Sequence, residues 1–295
     1  MHILVTGGAG FIGTNLIKRL LNDKHKVVSI DNYSSGKKEN HQEGCSYYRA
    51  DLSKAFKIEK ELLVKTLDHG DFDYIYHLGA LARIQPSLIK PAYHIVNNVN
   101  STLNILEYAR LKNIPVIYSG SSSKHHGLYG SPYAWSKWSG EELCKLYSRV
   151  YKLQTIICRF YNVYGPYQLE DGGYSTVIGI FEKQYRENSP LTITGDGTQR
   201  RDFTHINDII DGLIKCLDHK FYAEFFELGR GNNYSINEVA DMFGKNYPKK
   251  YIPARQGEYP ITLADYSQAK DVLGYNPKQD LKQYIKKIKR ESNGL

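Results

Sequence analysis

Four cysteines in 295 residues are too few and too scattered to staple a fold. Cys45, Cys144, Cys158 and Cys216 include no CxxC pair, so neither a disulfide framework nor a zinc site is indicated and no metal is expected. No apolar run reaches the roughly 18 residues that a membrane helix needs, so no membrane partner is expected. The opening residues, MHILVTGGAG, lack the charged, apolar and small-residue zones of a signal peptide, which favours a cytoplasmic setting. There are no internal repeats, no low-complexity linker and no clean domain border. What remains is an ordinary soluble globular chain, long enough for a substantial core as one large domain or two coupled ones.

The net charge is +8. Much of the excess sits at Lys278, Lys282, Lys286, Lys287, Lys289 and Arg290, at the spacing of a solvated helical face. Without interleaved aromatics or a binding motif, no nucleic-acid partner is expected. A moderate positive field would still draw in an anion such as a nucleotide.

The segment HILVTGGAGFIGTNLIKRLLNDKHKVVSIDN carries the most information. His2–Thr6 reads as a buried strand, and Phe11, Ile12, Leu16, Ile17, Leu20 and Leu21 recur at helical spacing. A second apolar strand, from Lys26, ends at Asp31. Between strand and helix lie Gly7, Gly10 and Gly13. The first permits a tight turn, the second a close approach to a pyrophosphate, and the third close packing of helix on strand. Phosphates would meet the free N–H groups of the helix start. Asp31 sits where a carboxylate accepts from an adenosine ribose and repels a 2′-phosphate, which favours NAD over NADP. Lys37 and Lys38 follow closely and keep NADP open. Further strands at Tyr74–Leu78, Val116–Ser119 and Thr155–Phe160 alternate with helices, one carrying Val99, Leu103, Ile105 and Leu106 and one over about Tyr133–Tyr151. This alternation predicts a doubly wound parallel sheet.

Ligands bind beyond the carboxyl ends of such strands. There the stretch GSSSKHHGLYGSPYAWSK places three serines, then Tyr133 and Lys137 at i and i+4 on one helix face. An ammonium beside a phenol favours the phenolate, as would the positive ring of an oxidised nicotinamide. A serine hydroxyl can hold the substrate oxygen. This is a general base for removing a proton from an alcohol while a nicotinamide takes the hydride.

With these residues in view, the chain resembles the extended short-chain dehydrogenase/reductase family, and within it the nucleotide-sugar epimerases typified by UDP-galactose 4-epimerase. The resemblance spans nearly the whole length: TGGAGFIG, DNYSSG, ADLS, YHLGALA, NVNSTLNILEYAR, SSS, YAWSK, RFYNVYGP, GDGTQRRDFTHINDII and ADYSQAKDVLGYNP. It implies a Rossmann-like NAD-binding domain over residues 1–165, with the chain returning to it around 200–230. A smaller C-terminal α/β domain over 166–295 would bind the nucleotide sugar. It implies a catalytic pair, Tyr133 and Lys137, with Ser122 the best match for the hydroxyl partner and Ser121 or Ser123 as neighbours one position away. It matches Asn32, Asp51 and Leu52, then Leu78, Gly79, Ala80, Asn97 and Phe160, to the cofactor side. Asn162, Arg201, Arg255 and Glu258 match residues that contact the nucleotide diphosphate and its ribose. A homodimer through the helices near Val99–Arg110 and Tyr133–Tyr151 is also implied.

Relatives that dehydrate carry an acidic pair beside the catalytic hydroxyl, and decarboxylating relatives carry a glutamate there. Here the neighbours are Ser123 and Lys124. Relatives that epimerise C3 and C5 use a cysteine and a histidine near the sugar, and no cysteine lies near this hydroxyl. The expectation is inversion at C4 of a UDP-hexose through a 4-keto sugar, with Tyr133 as base. The alternatives are a nucleotide-sugar reductase or dehydrogenase with net redox output, or a catalytically silent NAD-binding regulator. Two departures bear on the substrate. The loop between Ser122 and Tyr133, KHHGLYGS, is shorter than in relatives. Thr262 stands where some relatives have a bulky tyrosine, leaving room for an N-acetyl group and so for a UDP-N-acetylhexosamine. Arg83 and Gln85 are expected near the sugar without an assigned partner. His125 and His126 read as loop residues, and His77 and His205 as structural residues in strand-like stretches.

Overall fold

The computed structural model describes residues 1–57 and 71–292. Strands β1 (His2–Thr6), β2 (Lys26–Asp31), β3 (Cys45–Arg49), β4 (Tyr74–His77), β5 (Val116–Ser121) and β6 (Thr155–Phe160) come first in the chain. β7 (Leu191–Thr194) and β8 (Arg200–Asp202) lie outside their sheet, and β9 (Tyr222–Leu228) rejoins it. The resulting seven-stranded sheet has the order β3-β2-β1-β4-β5-β6-β9 and is parallel throughout. The chain winds outward from β1 through β2 to β3, then restarts at β4 and winds the other way. That reversal opens a crevice at the carboxyl ends of β1 and β4. β10 (Asn233–Ser235) pairs antiparallel with β8, and β11 (Lys249–Ile252) pairs parallel with β7.

The apolar strands are continuous because both sheet faces are covered. Helices α1 (Phe11–Asn22), α2 (Ile84–Ile89), α3 (Pro91–Lys112), α4 (Pro132–Tyr151), α5 (Val177–Arg186) and α6 (Ile206–Lys215) are joined by α7 (Ile236–Phe243), α8 (Ser267–Leu273) and α9 (Leu281–Ser292). Side chains of β1 alternate between two cores. Ile3 and Val5 meet Leu16, Leu20, Ile209 and Leu213, whereas Leu4 meets Ile105, Leu106 and Cys144. A third cluster of Phe181, Ile193, Val239, Phe243 and Ile285 gives the C-terminal half its own core. Among the described residues no helix is long and apolar enough to cross a membrane.

Two expectations shift in detail, and one strand has no counterpart in the sequence reading. β5 runs two residues past Ser119, to Ser121. β3 is a half-exposed edge strand with no apolar run to announce it. His205 is not in a strand: it caps α6, its Nδ1 accepting from the Asn207 N–H at 3.1 Å. The basic C-terminal stretch forms α9, which buries Leu281 and Ile285 and exposes its lysines at 282, 286 and 287.

Candidate active site

The turn between β1 and α1 is built for close approach. Gly7 has φ +72°, and a Cβ there would stand 2.9 Å from Gly79. A Cβ on Gly13 would come 2.2 Å from the Gly7 carbonyl oxygen, so helix and turn touch only because that side chain is missing. No side chain caps α1 at Gly10, which leaves its first N–H groups to an external acceptor. Gly7, Gly10, Phe11, Ile12 and Gly13 all line a long cavity over the sheet's switch point. Asp31, Asn32, Asp51, Leu52, Leu78, Gly79, Ala80, Asn97 and Phe160 line the same cavity, whereas Lys37 and Lys38 do not. The Asp31 carboxylate accepts from the Ala9 N–H at 3.0 Å and the Tyr33 N–H at 2.7 Å. Burial raises its pKa and these bonds oppose that.

Farther along the cavity lie the residues of β5 and α4. Ser131 caps α4 by accepting from the Ala134 N–H at 3.1 Å, and Pro132 follows at the first helical position. This fixes Tyr133 and Lys137 on one helix face. Opposite them, Ser119 and Ser121 share one side of β5, two residues apart. The two pairs meet in order. The Tyr133 phenol donates to Ser121 Oγ at 3.4 Å, and Lys137 Nζ donates to Ser119 Oγ at 3.2 Å. Ser121 Oγ also lies within reach of the Ser123 hydroxyl at 2.9 Å and the Ser123 N–H at 3.2 Å; its two lone pairs accept two of these three donors at a time, and its own O–H is left to donate.

The contacts of Ser122 and Lys137 take the following form. Ser122, the best match for the catalytic hydroxyl, lines the cavity at the start of a 3-10 turn, and its neighbour Ser121 is the serine that meets Tyr133. The reason is the extra length of β5. Among the described residues Lys137 makes no hydrogen bond to the phenol. Its ammonium is spent on Ser119 and on the Tyr118 ring, 4.4 Å away. Burial brings Lys137 down to about 8, while the Glu141 carboxylate one turn along pulls it up. The Tyr133 pKa is raised, by burial first; the Ser121 hydrogen bond and the positive charge of Arg83 oppose that rise.

Asn162, Arg201, Arg255, Glu258 and Thr262 line the far end of the cavity. Arg201 donates to the carbonyls of Tyr259 (2.6 Å) and Arg200 (2.9 Å), with Glu258 at 3.9 Å. Thr262 Oγ1 is taken up by Asn162 Nδ2 and the Asp202 N–H, each at 3.0 Å. The short loop after Ser123 is compensated by other segments. Gln85 donates to the Gln256 carbonyl at 2.7 Å and Arg83 Nε to the Tyr174 carbonyl at 3.2 Å. These bonds draw α2, the 172–175 loop and the 255–259 stretch around the cavity.

Outside the cavity, His77 bridges Thr6 and Thr102, at 2.8 and 3.1 Å, and burial takes it down to about 3. This is a structural histidine. His125 is tied to Glu227, which also accepts from Tyr161 at 2.7 Å. Glu227 lies 3.6 Å from Arg159, and Arg159 is clamped by Glu141. The side chain of His126 lies outside the described ones. Neither the His125–Glu227 pair nor the Arg83–Tyr174 bond has a local sequence signal, because their partners lie 102 and 91 residues away. Ser121 did have one: alternation along β5 puts it on the side of Ser119.

A family model described as "NAD dependent epimerase/dehydratase family" matches residues 3–229. The UDP-glucose 4-epimerase of Mycolicibacterium smegmatis is 30% identical over 305 residues, covering 97% of each chain. The structure of UDP-glucose 4-epimerase from Thermotoga maritima with UDP-glucose superposes with a TM-score of 0.91 at 28% identity, covering 100% of this chain and 99% of that one. UDP-glucuronic acid 4-epimerase from Bacillus cereus, solved with UDP-glucuronic acid and NAD, has a TM-score of 0.84 at 30% identity, covering 100% and 99%.

Proposed function

This chain belongs to the NAD-dependent epimerase/dehydratase family, and we propose that it is a nucleotide-sugar 4-epimerase that inverts C4 of a UDP-linked hexose by way of a 4-keto sugar. The observation that carries this reading is the meeting of Tyr133 and Ser121 in the same cavity as the Gly7–Gly13 cradle. NAD, which that cradle and the uncapped start of α1 fit, supplies the hydride acceptor when bound. Asp31 would hold its adenosine ribose, and Phe160 and Asn97 its nicotinamide side.

Ser121 donates to the 4-oxygen and orients it. Tyr133, as phenolate, takes the 4-hydroxyl proton and returns it on the other side of the cycle. Lys137 keeps a positive charge behind the pair through Ser119. Arg201 and Arg255 suit phosphate oxygens, and Glu258 suits ribose hydroxyls. Among the described residues, the carboxylates lining the cavity are Asp31, Asp51 and Glu258. None stands in the serine segment, where dehydration or decarboxylation would need an acid. The small Thr262 leaves room at C2, so UDP-N-acetylhexosamines belong among the substrates to assay.

The test is turnover of UDP-sugars without added NAD, with products read by NMR. Interconversion of C4 epimers without change in the cofactor's redox state supports the reading. Stoichiometric NADH formation supports a dehydrogenase instead. Tyr133→Phe should keep cofactor and fold and lose interconversion; near-normal activity in that variant would refute the mechanism. A homodimer is part of the same proposal. Tyr93, Val96 and Leu111 on α3 and Leu146, Val150 and Tyr151 on α4 are exposed apolar residues on the two helices expected to pair. Light scattering at twice the mass of 33.8 kDa supports the pairing, and a monomer refutes it.

A further inference from the structure

Arg83 is a cation without an anion. It lines the cavity together with Tyr133, Ser121 and Tyr174. Among the described residues it makes one hydrogen bond, from Nε to the Tyr174 carbonyl at 3.2 Å, and no carboxylate lies within ion-pair distance. Both terminal amino groups of the guanidinium, the half of the fork that binds a carboxylate in parallel, have no acceptor among the described residues. Of the other two arginines lining the cavity, Arg201 has Glu258 at 3.9 Å, and Arg255, like Arg83, has no ion pair among the described residues.

The backbone at Arg83 is also costly. Its φ of 80° and ψ of 142°, just before α2, belong to a region that glycine occupies and side chains rarely do. Burial works against the charge, and Tyr133 opposes that effect. A strained, desolvated and unpaired guanidinium beside the reacting group is what a ligand anion would relieve. Within the reading of the cavity as a nucleotide-sugar site, the position of that anion follows from sugar chemistry. A hexose with its 4-hydroxyl at Tyr133 carries its C6 group on the carbon next to C4. The nucleotide phosphates sit at the other end of the sugar, where Arg201 and Arg255 lie.

We propose that Arg83 receives a carboxylate at C6 of the sugar, so that the preferred substrates are nucleotide-linked hexuronates. The claim rests on the nucleotide-sugar reading above. The experiment compares UDP-glucuronate, UDP-glucose and UDP with the full-length wild type, Arg83→Gly and Arg83→Lys, by NMR turnover and by calorimetric binding. The wild type should favour UDP-glucuronate. In Arg83→Gly the ratio of kcat/KM for UDP-glucuronate to that for UDP-glucose should fall about 10–100-fold, the range of a charged hydrogen-bonded pair. Its Tm should not fall, because glycine relaxes the strained backbone. Arg83→Lys, which keeps the charge but loses the fork, should fall between the two and serves if the glycine variant does not fold. An unchanged ratio overturns the proposal and leaves Arg83 as an influence on Tyr133 alone. A matching loss of UDP affinity overturns it in favour of a phosphate contact. If no sugar is turned over by any form, the epimerase reading fails, and the ratio of the two sugars' Kd values still decides the carboxylate claim.

Discussion

Glu141→Gln tests how the site is held from behind. Glu141 lies on α4 one turn past Lys137, 1% exposed, and accepts from Arg159 Nε at 3.0 Å and Nη2 at 2.8 Å. Arg159 is 2% exposed and its remaining charge partner, Glu227, stands at 3.6 Å. Removing one partner of a buried pair costs about 3–5 kcal/mol. Since Glu227 and the Phe225 ring, 4.1 Å from the guanidinium, still face Arg159, the lower end applies, about 3 kcal/mol. With an unfolding entropy of about 2.1 cal/mol/K per residue, this amounts to a fall in Tm of about 5 °C. The exposed pair Glu142–Lys145 on the same helix is the control, and Glu142→Gln should shift Tm by no more than about 1–2 °C. The substitution also acts on Lys137. The Glu141 carboxylate raises a lysine that burial has brought down to about 8, so its loss lowers that pKa further. The ammonium then deprotonates at lower pH, and the alkaline limb of the pH–rate profile should move toward neutrality. The assays are a thermal melt and a profile from pH 6 to 10. A Tm within 1 °C of the wild type, or a destabilised enzyme whose alkaline limb has not moved, would refute the reasoning.

Gly13→Ala should abolish cofactor retention, because its Cβ would stand 2.2 Å from the Gly7 carbonyl and backbone cannot yield that far; the 260 nm absorbance of nucleotide released from the gel-filtered protein checks it. Ser121→Ala should lower kcat by about tenfold, the worth of one hydrogen bond at the reacting oxygen, while Ser122→Ala stays within about threefold. His205 is held down to about 4 by burial, below its unfolded value of about 6.5, so the unfolded chain binds more protons between those values. Stability should therefore fall as pH drops from about 6.5 toward 4, by roughly 3 kcal/mol from this residue. His205→Asn, which can still cap α6, should flatten that slope in urea melts at pH 7 and 4.5.

The parts of the molecule encoded by short-range spacing were legible from the chain. Strand, glycine cradle, helix and Asp31 follow one another within thirty residues, and each has a local steric or electrostatic reason. Tyr133 and Lys137 are likewise one helical turn apart. The contact between Ser121 and the phenol was not legible because the end of β5 is set by pairing with β6 through Ser121, not by its own polar sequence. β3 was missed for a related reason: CSYYR has no apolar alternation, and only its seat beside β2 makes it a strand. Arg83, His125 and the closure of the cavity by the 172–175 and 255–259 stretches depend on contacts between distant segments. No local pattern announces those.

The central claim is that hydrogen leaves and returns to C4 of one sugar without exchanging with water. A UDP-sugar carrying deuterium at C4, incubated with the enzyme in ordinary water until the epimers equilibrate, tests it by NMR. The account expects deuterium to remain at C4 in both epimers. Equilibration with C4 deuterium replaced by solvent hydrogen would contradict it.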